Sequence, residues 1–213
     1  MKPSRRTEKF WDMLSGKTDA IAQKFAQTYA QSVERTRKYL RATDTVLDFA
    51  CGTGLICSEI ASDVKLVRAI DISSKMLEIA GHKARDRKLE NITFEKTDLW
   101  GGAFGAQEFD VILAFNILHL VRDSDAVLGR LAELLKPGGY LITSTECAGE
   151  NRRSSLNLLV WLLIKLGLVP YMRFYTTPEI ERQIQAAGFR IVEVHSFWNH
   201  RQPNHFVVAQ KRV

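Results

Sequence analysis

Two hydrophobic periods alternate along this chain, and their order lays out the fold. From Thr18 to Leu40, Ile21, Phe25, Tyr29, Val33 and Tyr39 recur near a helical spacing among polar residues, which predicts one helix. Thr45–Phe49 is a short apolar strand that runs into a glycine-rich turn, and a helix follows through Ile60. Leu66–Ile70 reads as a strand closed by Asp71. Ser73–Lys88 reads as a helix with Met76, Leu77 and Ala80 on its buried face. Ile92–Lys96 alternates as a strand, and Val111–Phe115 is a continuous apolar run of the kind buried in a parallel sheet. Asp123–Leu135 predicts a helix stopped by Lys136-Pro137-Gly138-Gly139, and Tyr140–Thr145 a fifth strand.

Strand and helix therefore alternate through the first two-thirds, which implies an α/β fold: a parallel sheet with helices on both faces. After Cys147 the rhythm changes. Asn151–Leu168 is a strongly apolar helical insert. Thr177 as N-cap and Pro178 at the first helical position open a further helix, and Gly188 closes it. Phe189–Phe197 and His205–Gln210 alternate as two strands able to pair antiparallel at a sheet edge. The expected organisation is an N-terminal helical cap over residues 1–41 and one domain over 42–213, with the insert at 148–176.

Composition narrows the class. The chain has 213 residues, 46% hydrophobic and 25% charged, which is ordinary for a globular protein. The net charge of +6 is modest, and its basic groups (Lys2, Arg5, Arg6, Lys9; Arg35, Arg37, Lys38, Arg41; His82, Lys83, Arg85, Arg87, Lys88) are not interleaved with aromatics. Nucleic acid is thus not the expected partner. Cys51, Cys57 and Cys147 are odd in number and sit in apolar or glycine-rich surroundings, a reducing-compartment pattern. The first residues lack the apolar core of a secretory signal. Leu156–Val169 is shorter than the ~20 residues a spanning helix needs. Cytoplasmic location is the expectation. An amphipathic insert could touch a membrane, but with only Arg152, Arg153 and Lys165 as nearby cations this is the weaker reading.

The candidate chemistry starts at Asp48-Phe49-Ala50-Cys51-Gly52-Thr53-Gly54. Small residues between a strand and a helix let backbone approach a ligand closely and present free N–H groups. Such a turn suits several nucleotide binders, and three carboxylates refine it. Asp71, ending the second strand, can accept both hydroxyls of a ribose. Asp98, after the third strand, is placed for an amino group such as that of adenine. Asp48 stands inside the turn, where it would repel a pyrophosphate but suit a ligand with a cationic end. S-adenosylmethionine (SAM) carries a sulfonium and an ammonium, so the charge logic favours it over NAD. Taken singly, Asp48 and Asp71 could each merely cap local N–H groups.

With these residues in view, the chain resembles the class I, Rossmann-like SAM-dependent methyltransferases, particularly those acting on small molecules. The matching motifs are VLDFACGTG (46–54), AIDIS (69–73), KTDLW (96–100), FDVILAFNILHLV (109–121) and LLKPGGYLITST (134–145). The resemblance implies a three-layer α/β/α sandwich with a seven-stranded sheet whose last strand is antiparallel. It implies that Asp48, Ala50, Cys51, Gly52 and Gly54 hold the methionine part of SAM and that Asp71 binds the ribose. Ile72 and Met76 would then flank the adenine, Asp98 and the Leu99 backbone would read its amino edge, and Phe115 would border the cofactor. One departure is Ala50, where the family often has glycine.

Methyl transfer needs an aligned acceptor and often a base. His119 in Asn116-Ile117-Leu118-His119 is similar to the Ile-Leu-His segment of plant-type O-methyltransferases, whose histidine is the base; a locally packed histidine is the alternative. Asn116 is a candidate polar group near the methyl. Tyr29 from the N-terminal helix and Trp161, Tyr171 and Tyr175 from the insert are candidates for an apolar acceptor pocket, although core packing would explain them too. His195, His200 and His205 lack a cysteine or carboxylate cluster, so no metal is expected. The expected activity is methylation of a small, apolar or aromatic acceptor, with S-adenosylhomocysteine as by-product. The alternatives are a non-catalytic SAM-binding partner protein and a nucleotide-dependent oxidoreductase.

Overall fold

The computed structural model describes residues 4–151, 154–198 and 202–212. Its seven strands are β1 (Thr45–Phe49), β2 (Leu66–Asp71), β3 (Ile92–Lys96), β4 (Phe109–Phe115), β5 (Leu135–Glu146), β6 (Phe189–Trp198) and β7 (Pro203–Lys211). They form one sheet in the order β3-β2-β1-β4-β5-β7-β6. The first five pair in parallel, and β7 runs antiparallel between β5 and β6. Strand order reverses direction between β1 and β4, which opens a crevice at the carboxyl ends of those strands.

Seven helices surround the sheet: α1 (Arg5–Gln23), α2 (Ala26–Arg37), α3 (Leu55–Ile60), α4 (Ser74–Asp86), α5 (Ser124–Leu134), α6 (Ser155–Lys165) and α7 (Thr177–Ala186). Successive strand residues point to opposite faces, and each face has its own core. Leu47, Ile112 and Leu141 pack with Leu128, Leu131, Ile180 and Ile184 of α5 and α7. Val46, Val111, Leu113 and Ile142 pack with Val33, Ile56 and Ile60 of α2 and α3. α2 is also tied to the sheet edge, where Arg35 pairs with Glu193 and the Tyr39 hydroxyl donates to Glu193 at 2.7 Å. Of the basic groups noted above, Arg37 meets Asp63 at 2.9 Å and Arg87 meets Glu59 at 2.6 Å; Lys2, Arg152 and Arg153 lie outside the described residues.

The insert helix expected over Asn151–Leu168 is shorter, Ser155–Lys165, and β4 and β7 begin two residues earlier than expected. Three further boundaries differ from the sequence reading, each for a physical reason. The helix expected over 18–40 is two helices, the first beginning at Arg5 behind a Ser4 cap that accepts the Thr7 N–H. A single helix from Arg5 to Arg37 would be roughly 50 Å long. The break at Lys24-Phe25 lets α1 lie along α4 while α2 turns onto the sheet. The N-cap of α7 is Thr176, not Thr177: its side chain and Glu179 form a reciprocal capping box. Lys136-Pro137-Gly138-Gly139 does stop α5, but it continues as the start of β5, with Leu135 opposite Phe109 and an irregularity before Val111. A side chain at Gly139 would stand 2.7 Å from the Asp110 carbonyl, so only glycine lets the strands close there.

Candidate active site

Between β1 and α3 the backbone turns left-handed three times, at Ala50 (φ 59°), Gly52 (φ 55°) and Gly54 (φ 74°). Alternating right- and left-handed residues turn successive N–H groups toward one concave side. The turn is anchored by the Cys51 N–H on the Ile70 carbonyl at 3.0 Å and the Gly54 N–H on the Cys51 carbonyl at 3.0 Å. At Gly54 a side chain would meet the Ala80 methyl at 2.9 Å, so close packing of α4 requires glycine. At Gly52 a side chain would meet nothing within 4 Å, so this part of the turn faces open space.

Asp48 lies beneath the turn, 2% exposed, with one carboxylate oxygen lacking any hydrogen-bond partner. Burial pushes its pKa up to about 7, a rise that the Cys57 hydrogen bond moderates. A buried carboxylate with a free oxygen disfavours an anion and gains from a cation. The residues present therefore fit a ligand with an ammonium or sulfonium group.

Asp71 accepts the Gly52 N–H at 3.0 Å on one oxygen and the Ser73 N–H at 2.8 Å on the other. It joins the glycine turn to the loop before α4, and burial raises its pKa despite these bonds. The cap of α4 is Ser73, which accepts the Met76 N–H at 3.2 Å, so Asp71 is not that helix's cap. Asp98 organises its own loop by accepting the Trp100 and Gly101 N–H groups at 2.8 and 2.7 Å. Ile72, Thr97, Asp98 and Gly101 line a cavity of about 250 Å³, closed on one side by Ser4 and Glu8 of the N-terminal segment. Met76 is buried, and Leu99 is buried with its carbonyl facing Arg130. Phe115 is half-buried at the end of β4, its ring 6.2 Å from that of Phe206.

α1 bears on this site along its length, which the hydrophobic pattern did not reveal. Its carboxylates grip the cleft rim: Glu8 holds Lys96 at 2.5 Å, and Asp12 accepts from the Ser73 hydroxyl at 2.6 Å. Asp19 accepts from the Thr53 hydroxyl at 2.6 Å and pairs with Lys83 at 2.6 Å. The available signal was the spacing of Glu8, Asp12 and Asp19 beside Phe10, Trp11 and Leu14.

On the other side of the crevice, Asn116 follows β4 in a left-handed conformation (φ 53°). Its N–H donates to the Ser144 carbonyl at 2.6 Å, and its side-chain oxygen accepts from the Asn204 amide at 2.8 Å. The Ser144 hydroxyl in turn donates to Asn204. Tyr29 of α2 reaches the Asn116 side chain, which offsets part of the rise that burial gives the phenol. The structure thus brings Tyr29 and Asn116 together and adds Asn204, which no sequence pattern had marked.

His119 sits in a short turn three residues beyond Asn116, 5% exposed, with Nδ1 unpartnered. Burial lowers its pKa to about 4, so the imidazole is neutral at physiological pH. The three insert aromatics do not form a common pocket. Tyr175 is fully buried in the α5–α7 core, its hydroxyl donating to Ser124 at 2.7 Å and Gln183 at 2.6 Å; a residue so enclosed packs the core and has no surface to offer an acceptor. Trp161 is half exposed with Lys165 over its ring. Tyr171 stacks under Arg122. His195 faces Arg35, whereas His205 bonds Ser196 and Glu181; His200 lies outside the described residues.

Comparison with known proteins agrees with this geometry. A family model described as a methyltransferase domain matches residues 21–194. A ubiquinone biosynthesis O-methyltransferase of Coxiella burnetii is 28% identical over 170 residues, covering 78% of this chain and 71% of its own. One from Thiobacillus denitrificans is 30% identical over 155 residues, covering 70% and 66%. Among solved structures, the [4+2]-cyclase SpnF superposes with a TM-score of 0.80 at 17% identity, covering 100% of this chain and 98% of its own. That last likeness speaks for the fold alone, since one fold can host unrelated chemistry. The family match covers the cationic-ligand turn, Asp71 and Asp98 in one stretch, and the chain therefore belongs to the methyltransferase domain family as a SAM-dependent methyltransferase.

Proposed function

We propose that the enzyme methylates a hydroxyl oxygen on a small apolar or aromatic acceptor, held between α2 and the carboxyl ends of β4 and β5. The observation that carries this reading is the Tyr29–Asn116–Asn204–Ser144 network, a set of polar groups that follows directly on the half-buried Phe115 at the end of β4. Asn204 engages the Asn116 side-chain oxygen, which leaves the amide N–H₂ to face Tyr29 and an incoming oxygen. The O-methyltransferase names of the relatives support the choice of oxygen.

SAM, when bound, supplies the electrophilic methyl and leaves as S-adenosylhomocysteine. In this reading Asp48 faces its cationic end, Ala50, Cys51, Gly52 and Gly54 cradle it with backbone, and Asp71 takes the ribose. Ile72, Met76, Asp98, Leu99 and Phe115 border the base and the methyl-bearing end. His119 accepts the acceptor hydroxyl's proton at Nδ1. Electrostatics favours that assignment despite the low basicity. The sulfonium charge vanishes as the imidazolium forms, so the water-poor site keeps its net charge. α1 and α2 serve as a cap over the cleft, and Trp161 and Tyr171 flank the acceptor's approach. The free thiols at Cys51, Cys57 and Cys147 suit a reducing cytoplasm.

The test is to incubate the protein with SAM and, separately, 3,4-dihydroxybenzoate, benzylamine or thiophenol, following S-adenosylhomocysteine and product mass. A methyl ether of the catechol is expected. Methylation of only the amine or the thiol overturns the oxygen assignment, and no turnover with any of them overturns the aromatic acceptor.

A further inference from the structure

Helix α1 buries only two of its residues, Ser15 and Ala22, and both are small. Glu8, Asp12, Ser15, Asp19 and Ala22 recur every three or four positions, so one stripe of the helix carries three carboxylates. Each carboxylate meets a different part of the cofactor site. Glu8 meets Lys96 at the end of β3, Asp19 meets Thr53 in the glycine turn, and Asp12 meets Ser73 ahead of α4.

The Asp12 contact differs from the other two because it leads on to Asp71. Asp12 Oδ1 accepts from the Ser73 hydroxyl at 2.6 Å and from the Lys75 N–H at 3.3 Å. The same hydroxyl oxygen accepts the Met76 N–H at 3.2 Å, so its proton and its oxygen are both committed. Ser73 is fully buried, and its own N–H donates to Asp71 Oδ1 at 2.8 Å. Ser73 is therefore held from two sides, by Asp12 through the side chain and by Asp71 through the backbone. The Ser73 hydrogen bond keeps the Asp12 carboxyl below its ordinary pKa, so it is an ionised acceptor at neutral pH. The direction in which Asp71 presents its remaining lone pairs is set by the Gly52 and Ser73 N–H groups. Asp12 acts on the second of these.

We propose that Asp12 is a positioning residue for the cofactor's ribose, acting through Ser73 on the orientation of Asp71. The proposal rests on the reading of Asp71 as the ribose partner and adds to it a group from outside the glycine turn and the strands. A carboxylate already fixed in place meets a diol in one geometry, whereas a freed one must be ordered on binding, which costs affinity.

The test is titration calorimetry with S-adenosylhomocysteine and with its 2′-deoxy analogue. Alanine is the best helix former and Asp12 is only half-buried, so Asp12→Ala should fold, with the melting temperature as the check. Asp12→Ala should weaken S-adenosylhomocysteine about tenfold, the size of a lost hydrogen bond to a charged group. The 2′-deoxy analogue, which lacks one of the two hydroxyls, should lose far less. Asp12→Asn keeps an acceptor for the Ser73 hydroxyl and should restore most of the affinity. Asp71→Asn should weaken S-adenosylhomocysteine at least as much as Asp12→Ala, and Asp12→Ala/Asp71→Asn should be no weaker than Asp71→Asn alone. Equal losses for both ligands in Asp12→Ala, or losses that add in the double variant, would show that Asp12 only fastens α1 and would overturn the proposal. Unchanged affinity in Asp71→Asn would instead sink the ribose reading of Asp71, and this proposal with it.

Discussion

On the β1–β2 side of the cleft the ligand-facing groups are set by backbone. Three left-handed residues within five positions shape the turn, and Asp71 fixes it with bonds to two main-chain N–H groups. On the β4–β5 side the work is done by side chains passed from strand to strand, Ser144 to Asn204 to Asn116 to Tyr29, with His119 nearby and one nitrogen unpartnered. Main-chain geometry tolerates few residue types and so leaves a sequence signature. A side-chain network needs only polar groups that meet in space. On the proposed reading, that difference suits the first side to a fixed cofactor and leaves the second open to change with the acceptor. It also predicts that changes on the two sides separate cleanly into cofactor affinity and turnover.

The largest effect should come from Asp48. Asp48→Asn removes the buried charge that faces the cationic ligand, and SAM affinity should fall about 100-fold by titration calorimetry, in line with a lost buried charge-assisted contact. The wild-type pH dependence carries a sign that checks the cause. With a pKa of about 7 in the free protein, the carboxyl must lose its proton to receive a cation. SAM affinity should therefore rise as pH increases toward 7 and level off above it. The same carboxyl binds more protons folded than unfolded between about 4 and 7, so the ligand-free fold loses stability as pH rises through that window. Asp48→Asn should abolish the affinity trend and raise the melting temperature of the ligand-free protein at pH 8. An unchanged affinity profile would remove Asp48 from the cofactor site.

Next in size is His119. His119→Ala should cut turnover by ~10²-fold or more while leaving SAM affinity near normal. His119→Gln, which fills more of the buried space, should show the same split if packing is not the cause. A loss of SAM affinity that matches the loss of turnover would break the proposed division between the two sides.

The contrast also accounts for what could be read from the chain itself. Thr45–Phe49 was legible to the residue as a buried apolar run with sharp ends, and Ile92–Lys96 as an alternating strand, which the sheet places at its edge. The glycine turn, Asp71 and Asp98 were legible because their spacing follows from strand–turn–helix geometry. The α1 contacts were not, since Glu8, Asp12 and Asp19 read as the polar face of a helix until the fold lays them on Lys96, Ser73 and Thr53. Tyr175 looked like a pocket aromatic because an apolar insert gives no hint of which ring turns inward; its hydroxyl found Ser124 and Gln183 in the core. Asn204 was invisible because its partners lie 60 and 88 residues away.

The smallest prediction sharpens the comparison through two residues that share a backbone conformation. Ala50 (φ 59°) and Asn116 (φ 53°) are both left-handed non-glycines, one on each side of the cleft. Alanine has nothing to offset the clash of its Cβ with the following carbonyl, a cost of roughly 1–2 kcal/mol. Part of the relief from a glycine is returned as added freedom of the unfolded chain. Ala50→Gly should thus stabilise the protein by about 0.5–1 kcal/mol, seen as a rise of ~1–4 °C in melting temperature. Asparagine tolerates the left-handed region better, and its side chain holds Asn204 at 2.8 Å. Asn116→Gly should therefore lower the melting temperature, since the released strain is small and Asn204 loses an acceptor. Equal gains at both positions would show that the Asn116–Asn204 contact contributes nothing to the fold, and the network would lose its claim to be a rigid acceptor platform.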